Sequence, residues 1–586
     1  MVPAYFIQVE RMPLTSNGKV DRKALPLPEE GWMRGNEYVA PQGEMEEQLA
    51  EIWKEVLGIE QVGRTDNFFE LGGDSIKAVQ VSARLQRHGL KMEIRDLFQN
   101  PSVEQVSPYL KSQTQLSHQG AVEGEVGLSP IQQWFFEGQK QARHHFNHSV
   151  MLYRKEGYRE DIVQQVMQRM MEHHDALRMV YEQTETTVHQ YNKGIQELLV
   201  EVPVLEVRGQ GLEEVERQAT RIQESIDLEK GPMMRLGLFR ADDGDHLLIV
   251  IHHLVVDGIS WRILLEDFAS GYAQALKGEE IKFQAKTASY QEWSSQMKEY
   301  ARSEAFAAEK SYWQHETKAI GAGTEITLEE VGQLGDGKYI EVQLDEDMTE
   351  KVLRQVNQAY NTEINDILMT ALVMSIHEWD GREEICIDME GHGREELVEG
   401  LDITRTVGWF TSIYPVTLQV KEQELGRQIK TIKEALRSIP NKGIGYGMYR
   451  YWSEEGQGEG RKVSGISFNY LGQFDQDFQT AIFEGSSLPV GDMASSVLKR
   501  SSGLEVNGMV KEGRMRFTFG YNGKQYLEQE MENLANCYMQ KLSAIIAHCV
   551  EKESTELTPS DVMVHDMSIE EIEDVYAQIA AALNKE

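Results

Sequence analysis

Two adjacent histidines in the string HHLVVDGISW are the first candidates for chemistry. His252 and His253 close a β-rich apolar run, and Asp257 and Gly258 follow. An imidazole suits proton transfer near neutral pH. Adjacent side chains on a strand point to opposite faces, so only one histidine can enter a given cavity and the other is structural. Taken alone, such a pair is more typical of ordinary buried histidines, and without a third ligand at a fixed spacing a metal site is a weaker interpretation still.

A serine that follows two glycines and an acid is the second candidate. In FFELGGDSIKAVQ, Ser75 stands at the start of a predicted helix, directly after Gly73 and Asp74. The glycines let a bulky group approach the backbone, and a helix start exposes the hydroxyl and favours a nearby phosphate. An isolated GGDS is more often an ordinary N-terminal helix serine, so the surrounding elements must decide.

Composition excludes several classes of function. Lys and Arg number 59 against 95 Asp and Glu, a net charge of −36 that repels nucleic acid and anionic membranes. No apolar run is long enough to span a bilayer, and the N-terminus lacks the pattern of a signal peptide. Three scattered cysteines show neither metal-ligand nor disulfide spacing. We expect a cytoplasmic protein with neither nucleic acid nor a membrane as partner.

The elements that must position these residues divide the chain into a small and a large folding unit. Helical periodicity from Gly43 to residue 112 predicts a small all-α bundle of four helices. Mixed helical and β-rich runs predict a large α/β unit with room for two lobes. The predicted boundaries are a tail at 1–28, a linker at 29–42, the bundle at 43–112, a linker at 113–126, the large unit at 127–555 and a terminal segment at 556–586.

The string around Ser75 resembles the attachment site of a peptidyl carrier protein. This resemblance implies that Ser75 carries 4'-phosphopantetheine through a phosphodiester, with Gly73 and Asp74 beside it, and that a separate phosphopantetheinyl transferase installs the group. The opening segment MPLTSNGKVDRKALP resembles the end of an adenylation domain, in which Lys19 would contact the acyl adenylate. The nucleotide-binding body is absent from the sequence, so we expect the adenylation domain to be an upstream partner.

The HHxxxDG string resembles the condensation superfamily of nonribosomal peptide synthetases, whose two chloramphenicol-acetyltransferase-like lobes enclose an active site. The resemblance implies that His253 faces the tunnel and is catalytic, whereas His252 and Gly258 are structural and Asp257 is an anchor paired with an arginine. Five further strings resemble epimerization domains in particular. They are PIQQWF at 130–135, EGHGRE at 390–395, RTVGWFTSIYP at 405–415, PNKGIGYG at 440–447 and FNYLGQF at 468–474.

Epimerization of a carrier-bound residue requires removal of the α-proton and return of a proton to the opposite face. The family's catalytic glutamate matches Glu390, so the resemblance pairs Glu390 with His253. The residues alone do not assign which of the two removes the α-proton of the L-form. The resemblance also points to Asn469 and Tyr470 as donors for the enolate oxygen or for positioning the substrate. It implies no metal and no cofactor other than phosphopantetheine.

Two rival functions remain open from the sequence. An amide-forming condensation domain would use His253 but would leave EGHGRE and FNYLGQF without a purpose. A catalytically idle scaffold would not need His253, Asp257 and Glu390 to be intact. The terminal helix, which begins with a Ser568/Glu571 capping box, resembles a communication-mediating segment. That resemblance implies docking onto the condensation domain of a next subunit, and an ordinary capping helix is the alternative.

Overall fold

The computed structural model describes residues 38–112, 117–184, 187–197, 199–320, 331–421, 424–457, 464–473, 480–552, 554–562 and 567–575. The predicted adenylation tail with Lys19 and the end of the terminal helix lie outside these residues. Among the helices described, none is both long and apolar enough to cross a membrane.

The carrier unit has a hydrophobic core of its own. Apolar residues repeat along the first helix at helical spacing, and its Trp53 packs edge-on against Phe68 with ring centroids 4.9 Å apart. The four predicted α-helices are present, and a two-residue antiparallel strand pair is added to them. The elements are α1 (Gly43–Leu57), α2 (Ser75–Leu85), β1 (Leu90–Lys91), α3 (Ile94–Gln99), α4 (Val103–Val106) and β2 (Lys111–Ser112).

The large unit begins within the segment expected to be a linker, because residues 124–126 already form a strand of one of its sheets. Its first half carries a five-stranded and a three-stranded sheet with helices packed on them. The elements of this half are β3 (Gly124–Val126), α5 (Pro130–Gly138), β4 (Asn147–Arg154), α6 (Glu160–His173), β5 (Met179–Gln183), β6 (Val188–Asn192), β7 (Val204–Glu206), α7 (Leu212–Gln223), β8 (Met234–Arg240), β9 (Asp245–His252), α8 (Gly258–Leu276), α9 (Tyr290–Tyr300) and α10 (Ala307–Ile320).

The second half is built on a six-stranded mixed sheet. Its elements are β10 (Gly337–Gln343), α11 (Glu346–Arg354), α12 (Ile364–Asp380), β11 (Glu384–Gly391), β12 (Ser412–Gln419), α13 (Leu425–Arg437), α14 (Ile444–Trp452), α15 (Glu454–Gln457), β13 (Ile466–Gln473), β14 (Glu484–Gly485), β15 (Leu504–Lys511), β16 (Arg514–Asn522) and α16 (Glu528–Val550). The strand order is β10-β16-β15-β13-β11-β12, and β14 crosses back to pair with β4 of the first half. This is the α/β architecture with two sheet-based halves that the sequence predicted.

Each face of the six-stranded sheet has a different role. Side chains alternate across a strand, and in β15 Leu504 and Val506 are buried whereas Glu505 and Asn507 are half-buried. Helix α16 covers the apolar face, where Tyr538 contacts Phe517 with ring centroids 4.9 Å apart. The opposite face is therefore free to present polar side chains to a cavity.

The terminal helix spans 569–575 in the described residues and lies against α13. Its predicted capping box is confirmed, since the Ser568 and Glu571 backbone N–H groups donate to each other's side chains at 2.8 and 3.2 Å. Glu570 pairs with Arg427, and Glu573 pairs with Lys430.

Candidate active site

His253 lies at the end of β9, where the strand changes to a helical turn. The strand ends at His252, and His253 opens a single 3-10 turn before α8. The Nδ1 atom of His253 lies 2.8 Å from the carbonyl oxygen of Val256. A carbonyl can only accept, so Nδ1 carries the proton and Nε2 of the neutral ring is left with a lone pair.

Three aromatic rings surround the His253 imidazole. The centroids of Trp409, His148 and Phe146 lie 4.2, 3.8 and 5.2 Å from its own. This burial lowers the pKa of His253 below its ordinary value of 6.5. The ring is therefore neutral at pH 7 and able to accept a proton. The sequence carried a signal for Trp409, which stands in RTVGWF, but none for His148.

His252 has both ring nitrogens engaged by the backbone. Nε2 lies 2.8 Å from the carbonyl oxygen of Arg143, and Nδ1 accepts from the N–H of Leu254 at 3.2 Å. Burial lowers the pKa of His252 to about 3. Neither nitrogen is available to a substrate.

Asp257 joins three segments of the chain at one buried point. It caps α8, which opens at Gly258, by accepting from the N–H of Ser260 at 2.7 Å. It pairs with Arg394 at 3.2 Å and accepts from the N–H of Phe410 at 3.2 Å. The arginine of the expected pair thus comes from EGHGRE, the motif that also supplies Glu390. Asp257 fixes the frame around the site, and its oxygens point at these partners.

Glu390 is the penultimate residue of β11 and faces a cavity of about 70 Å³. Its Oε2 accepts a 2.7 Å hydrogen bond from Nδ2 of Asn469 on the neighbouring strand. Burial raises the pKa of the Glu390 carboxyl to about 7, and the negative charge of Glu505 adds to the rise. At neutral pH this carboxyl can therefore either hold or accept a proton.

The cavity beside Glu390 has one polar and one largely apolar wall. Asp388, Ser467 and Ser501 lie with Glu390 on the sheet side. Helices α5, α9 and α14 supply the other side with Ile131, Trp134, Trp293, Met297, Ile444, Tyr446 and Met448. Among the described residues no hydrogen bond or ion pair joins His253 to Glu390. Trp134, which lines the cavity, meets Trp409 edge-on at 6.4 Å, and Trp409 in turn packs on His253, so the two indoles connect the cavity wall to the imidazole.

Ser75 is the first residue of α2, and the residues before it cap the helix and pack closely around its start. Asp74 caps the helix by accepting from the N–H of Lys77 at 2.7 Å. A Cβ on Gly73 would lie 2.4 Å from the Phe68 ring, so the close approach of these two residues requires glycine. Ser75 is half-buried because its end of α2 faces the large unit.

Strand β13 receives the Ser75 end of the carrier. The side chains of Asp74 and Ile76 approach Gly472, to 3.6 and 3.4 Å from the position of a Cβ there. Nζ of Lys77 donates to the side chain of Gln473 at 3.0 Å. Tyr470 lies half-buried close by, and desolvation together with the charge of Asp74 raises the pKa of its phenol. Tyr470 thus lies at the carrier contact, whereas Asn469 lies at Glu390.

A second set of contacts holds the far end of α2. Gln86 donates to Asp402 at 2.6 Å and to Thr404 at 2.5 Å. Arg87 pairs with Glu266 of α8. At the next carrier helix, the Lys442 ammonium lies 3.9 Å from the Phe98 ring centroid. The carrier therefore docks along the whole of one side in this structure.

Comparison with known proteins gives the family of both units. The family described as "Condensation domain" matches residues 122–567, and "Phosphopantetheine attachment site" matches residues 47–110. The crystal structure of the epimerization domain from the third module of tyrocidine synthetase B is 40% identical with a TM-score of 0.70, covering 75% of this chain and all of that one. The first condensation domain of the CDA synthetase, 16% identical with a TM-score of 0.54 and covering 74% and 98%, shares the fold.

Curated relatives match over almost the entire chain. Gramicidin S synthase 1 of Brevibacillus brevis is 45% identical over all of this chain and 55% of its own length. Bacitracin synthase 3 of Bacillus licheniformis is 45% identical over 98% of this chain and 9% of its own length. The chain thus spans about half or less of the length of these relatives. It belongs to the condensation-domain family, and in it a phosphopantetheine carrier domain precedes a large condensation-fold domain.

Proposed function

We propose that the large domain epimerizes, from L to D, the α-carbon of an aminoacyl or peptidyl group held as a thioester on the carrier. The observation that carries this proposal is Glu390. It is a half-buried carboxyl whose desolvation raises its pKa to about 7, and it lies beside β13, the strand that receives the carrier. A group with that pKa is matched to exchanging protons at neutral pH. The likeness to the tyrocidine synthetase epimerization domain supports the same reaction.

The surroundings of Ser75 fit a phosphopantetheine group. Its hydroxyl stands at the N-terminus of an eleven-residue helix, where a phosphodiester's charge is favoured, and Gly472 leaves room opposite. When bound, the arm supplies a thioester, whose carbonyl accepts the electron pair left at the α-carbon more readily than an ester or amide does. We expect a separate phosphopantetheinyl transferase to install it.

Strand β13 contacts both the carrier and Glu390. Gly472 meets the carrier and Asn469 binds Glu390, so three residue steps along the strand, at most roughly 10 Å, separate the two contacts. Tyr470 lies between them. An arm that leaves Ser75 along this strand is directed towards the Glu390 cavity. His253 belongs to the first half of the domain and packs against Trp409, whose indole meets Trp134 of the cavity wall.

The proposed chemistry uses Glu390 and His253 as the two proton carriers. One takes the α-proton, the electron pair moves onto the thioester oxygen, and the other returns a proton to the opposite face, so nothing is consumed. Neutral His253 presents a lone pair on Nε2, and Glu390 can be either form at pH 7. Asn469 holds the Glu390 carboxylate in place, and Tyr470 borders the path of the arm.

Two observations favour epimerization over its rivals. An amide-forming condensation domain has no use for a cavity glutamate with a raised pKa and a dedicated amide donor. A passive scaffold has no use for a neutral imidazole enclosed by aromatic rings. In the complete synthetase we expect an adenylation domain to load the carrier and a condensation domain of the next subunit to accept the product, reached through the terminal helix.

The test loads Ser75 with an L-aminoacyl group deuterated at the α-carbon, using a phosphopantetheinyl transferase and the aminoacyl-coenzyme A. We expect the wild-type chain to lose the label and form the D-residue, and His253→Ala and Glu390→Gln to lose this activity. Glu384→Gln, an exposed glutamate on the same strand, is the matched control.

Two results would contradict the proposal. One is retention of label on a fully loaded wild-type carrier, both with an aminoacyl group and with a dipeptide. The other is formation of a dipeptide when a second loaded carrier is supplied, which would establish amide formation.

A further inference from the structure

The polar face of the six-stranded sheet carries two further carboxylates near Glu390, those of Asp388 and Glu505. In the strand register Asp388 lies beside Ser467, which lies beside Glu505. Two residues further along each strand, on the same face, Asn469 lies beside Asn507 and binds Glu390. Because side chains two residues apart share a face, Glu390 and Glu505 both project from the side that bears the cavity.

Glu505 is held in one position by two residues of the preceding segment. Nη2 of Arg500 lies 3.1 Å from Oε2 of Glu505, and the Ser501 hydroxyl donates to Oε1 at 2.9 Å. The Arg500 side chain is fully buried, and its Nε donates to the carbonyl oxygen of Ser502 at 3.2 Å. The guanidinium and the hydroxyl together fix the position of the Glu505 carboxylate. Ser501 also lines the cavity that contains Glu390.

We propose that Glu505 is a positioning residue of the active site, whose fixed negative charge acts across the sheet face and sets how firmly Glu390 holds its proton. The inference rests on the proposed function, in which Glu390 exchanges protons with the α-carbon. Glu505 touches neither the cavity's apolar wall nor the carrier in the described contacts, and its effect is exerted through Glu390.

The other charged groups that face the cavity are Asp388 and Arg450, and each is bound to another partner. Asp388 projects from the same strand and is bound by the N–H of Ser464. Arg450 of α14 faces the cavity from the opposite side, and its guanidinium is paired with Glu137 at 3.0 Å. From β12, α5 and α9 the cavity is lined by uncharged side chains. After burial, the charge of Glu505 is the cause that raises the pKa of Glu390.

The direction of the effect does not depend on which proton transfer Glu390 performs. In Glu505→Gln the repulsion is removed, so Glu390 loses its proton at a lower pH. The limb of the pH profile of α-deuterium loss that belongs to Glu390 must then move to lower pH. Strand β15 lies two strands from β11, roughly 10 Å away. A unit charge at about that distance and an effective dielectric constant near 20 predicts a shift of about one pH unit. Glu384→Gln, on an exposed position of β11, should leave the profile unchanged.

A second measurement follows Glu390 without catalysis. The protonated carboxyl of Glu390 is titrated by isotope-edited infrared spectroscopy of the unloaded protein and identified as the band absent from Glu390→Gln. Its midpoint should fall in Glu505→Gln. If Glu505→Gln does not fold, Glu505→Asp is the alternative, because its side chain is one methylene shorter and holds the charge further from Glu390. It should still lower the midpoint of the Glu390 titration, by a smaller amount.

An unchanged infrared midpoint in a folded Glu505 variant would overturn the inference. Failure of the proposed function looks different. In that case the wild-type chain would retain the α-deuterium, while the infrared midpoint would still respond to Glu505→Gln.

Discussion

Replacement of Asp257 by alanine should destabilise the large domain far more than removal of an ordinary helix cap. The change leaves the Arg394 guanidinium, whose side chain is 1% exposed, without its carboxylate. Breaking a buried ion pair from one side costs about 3–5 kcal/mol. Loss of the bond to the Ser260 N–H adds the effect of a missing cap, about 1 kcal/mol. The expected loss in the free energy of unfolding is therefore about 4–6 kcal/mol.

A matched variant isolates the buried pair from the cap. Asp345 caps α11 in the same way, accepting from the N–H of Met348 at 2.8 Å, but it is exposed and the described ion pairs do not include it. Asp345→Ala should therefore lose only about 1 kcal/mol. Urea unfolding followed by tryptophan fluorescence measures both variants. In Asp257→Ala/Arg394→Met both charges are absent, so this double variant should recover part of the loss.

Equal losses of stability in Asp257→Ala and Asp345→Ala would contradict a buried ion pair between Asp257 and Arg394, and so would a double variant less stable than Asp257→Ala alone. Either result would mean that the buried charge is satisfied by other groups. Asp257 would then not be the anchor of the frame around His253.

Two further predictions concern docking and pH. Arg87→Ala removes the ion pair with Glu266, which is worth up to about 1 kcal/mol, and should slow α-deuterium loss by up to about five-fold. The control Lys54→Ala, on helix α1 away from the contact, should leave the rate unchanged. Equal rates in the two variants would show that the Arg87–Glu266 pair plays no part in docking. Glu390→Gln should be more stable than the wild-type chain at pH 8. The folded pKa of Glu390 is raised from 4.5 to about 7, so its contribution to stability is complete below pH 4.5 and is lost as the pH rises through 7. The difference in urea unfolding between the two proteins should grow from about 1 kcal/mol near pH 5 to about 3 kcal/mol at pH 8, and a difference independent of pH would contradict the assigned pKa.

The sequence predicted the carrier helices well because their signals are local. The glycines before Ser75, the helix cap at Asp74 and the apolar spacing of α1 each act within a few residues. The periodic runs also predicted a large α/β unit. Its start was placed too late, because the pairing of Gly124–Val126 with β6 is a contact across more than sixty residues that no local pattern reveals.

The site was predicted only as far as its motifs extend. His253, Glu390 and Asp257 stand in strings that resemble a known family, and Arg394 could have been named as the partner of Asp257 because it shares a motif with Glu390. Asn469 was expected as a donor for the enolate oxygen or for positioning the substrate, and that role stays a prediction; its bond to Glu390 was not foreseen. That bond depends on the register of β11 against β13. The roles of His148, Glu505 and Arg500 depend on the same kind of long-range register and had no signal in the sequence.

The position of β13 has a consequence for engineering synthetases by exchange of parts. One rigid strand carries both the residue that orients Glu390 and the surface that receives the carrier. A foreign carrier joined to this domain must therefore match Gly472 and Gln473 as well as tolerate the new junction. Moving the carrier and the large domain together as one cassette keeps this match. Joining the large domain to a different carrier loses the match even when both pieces fold.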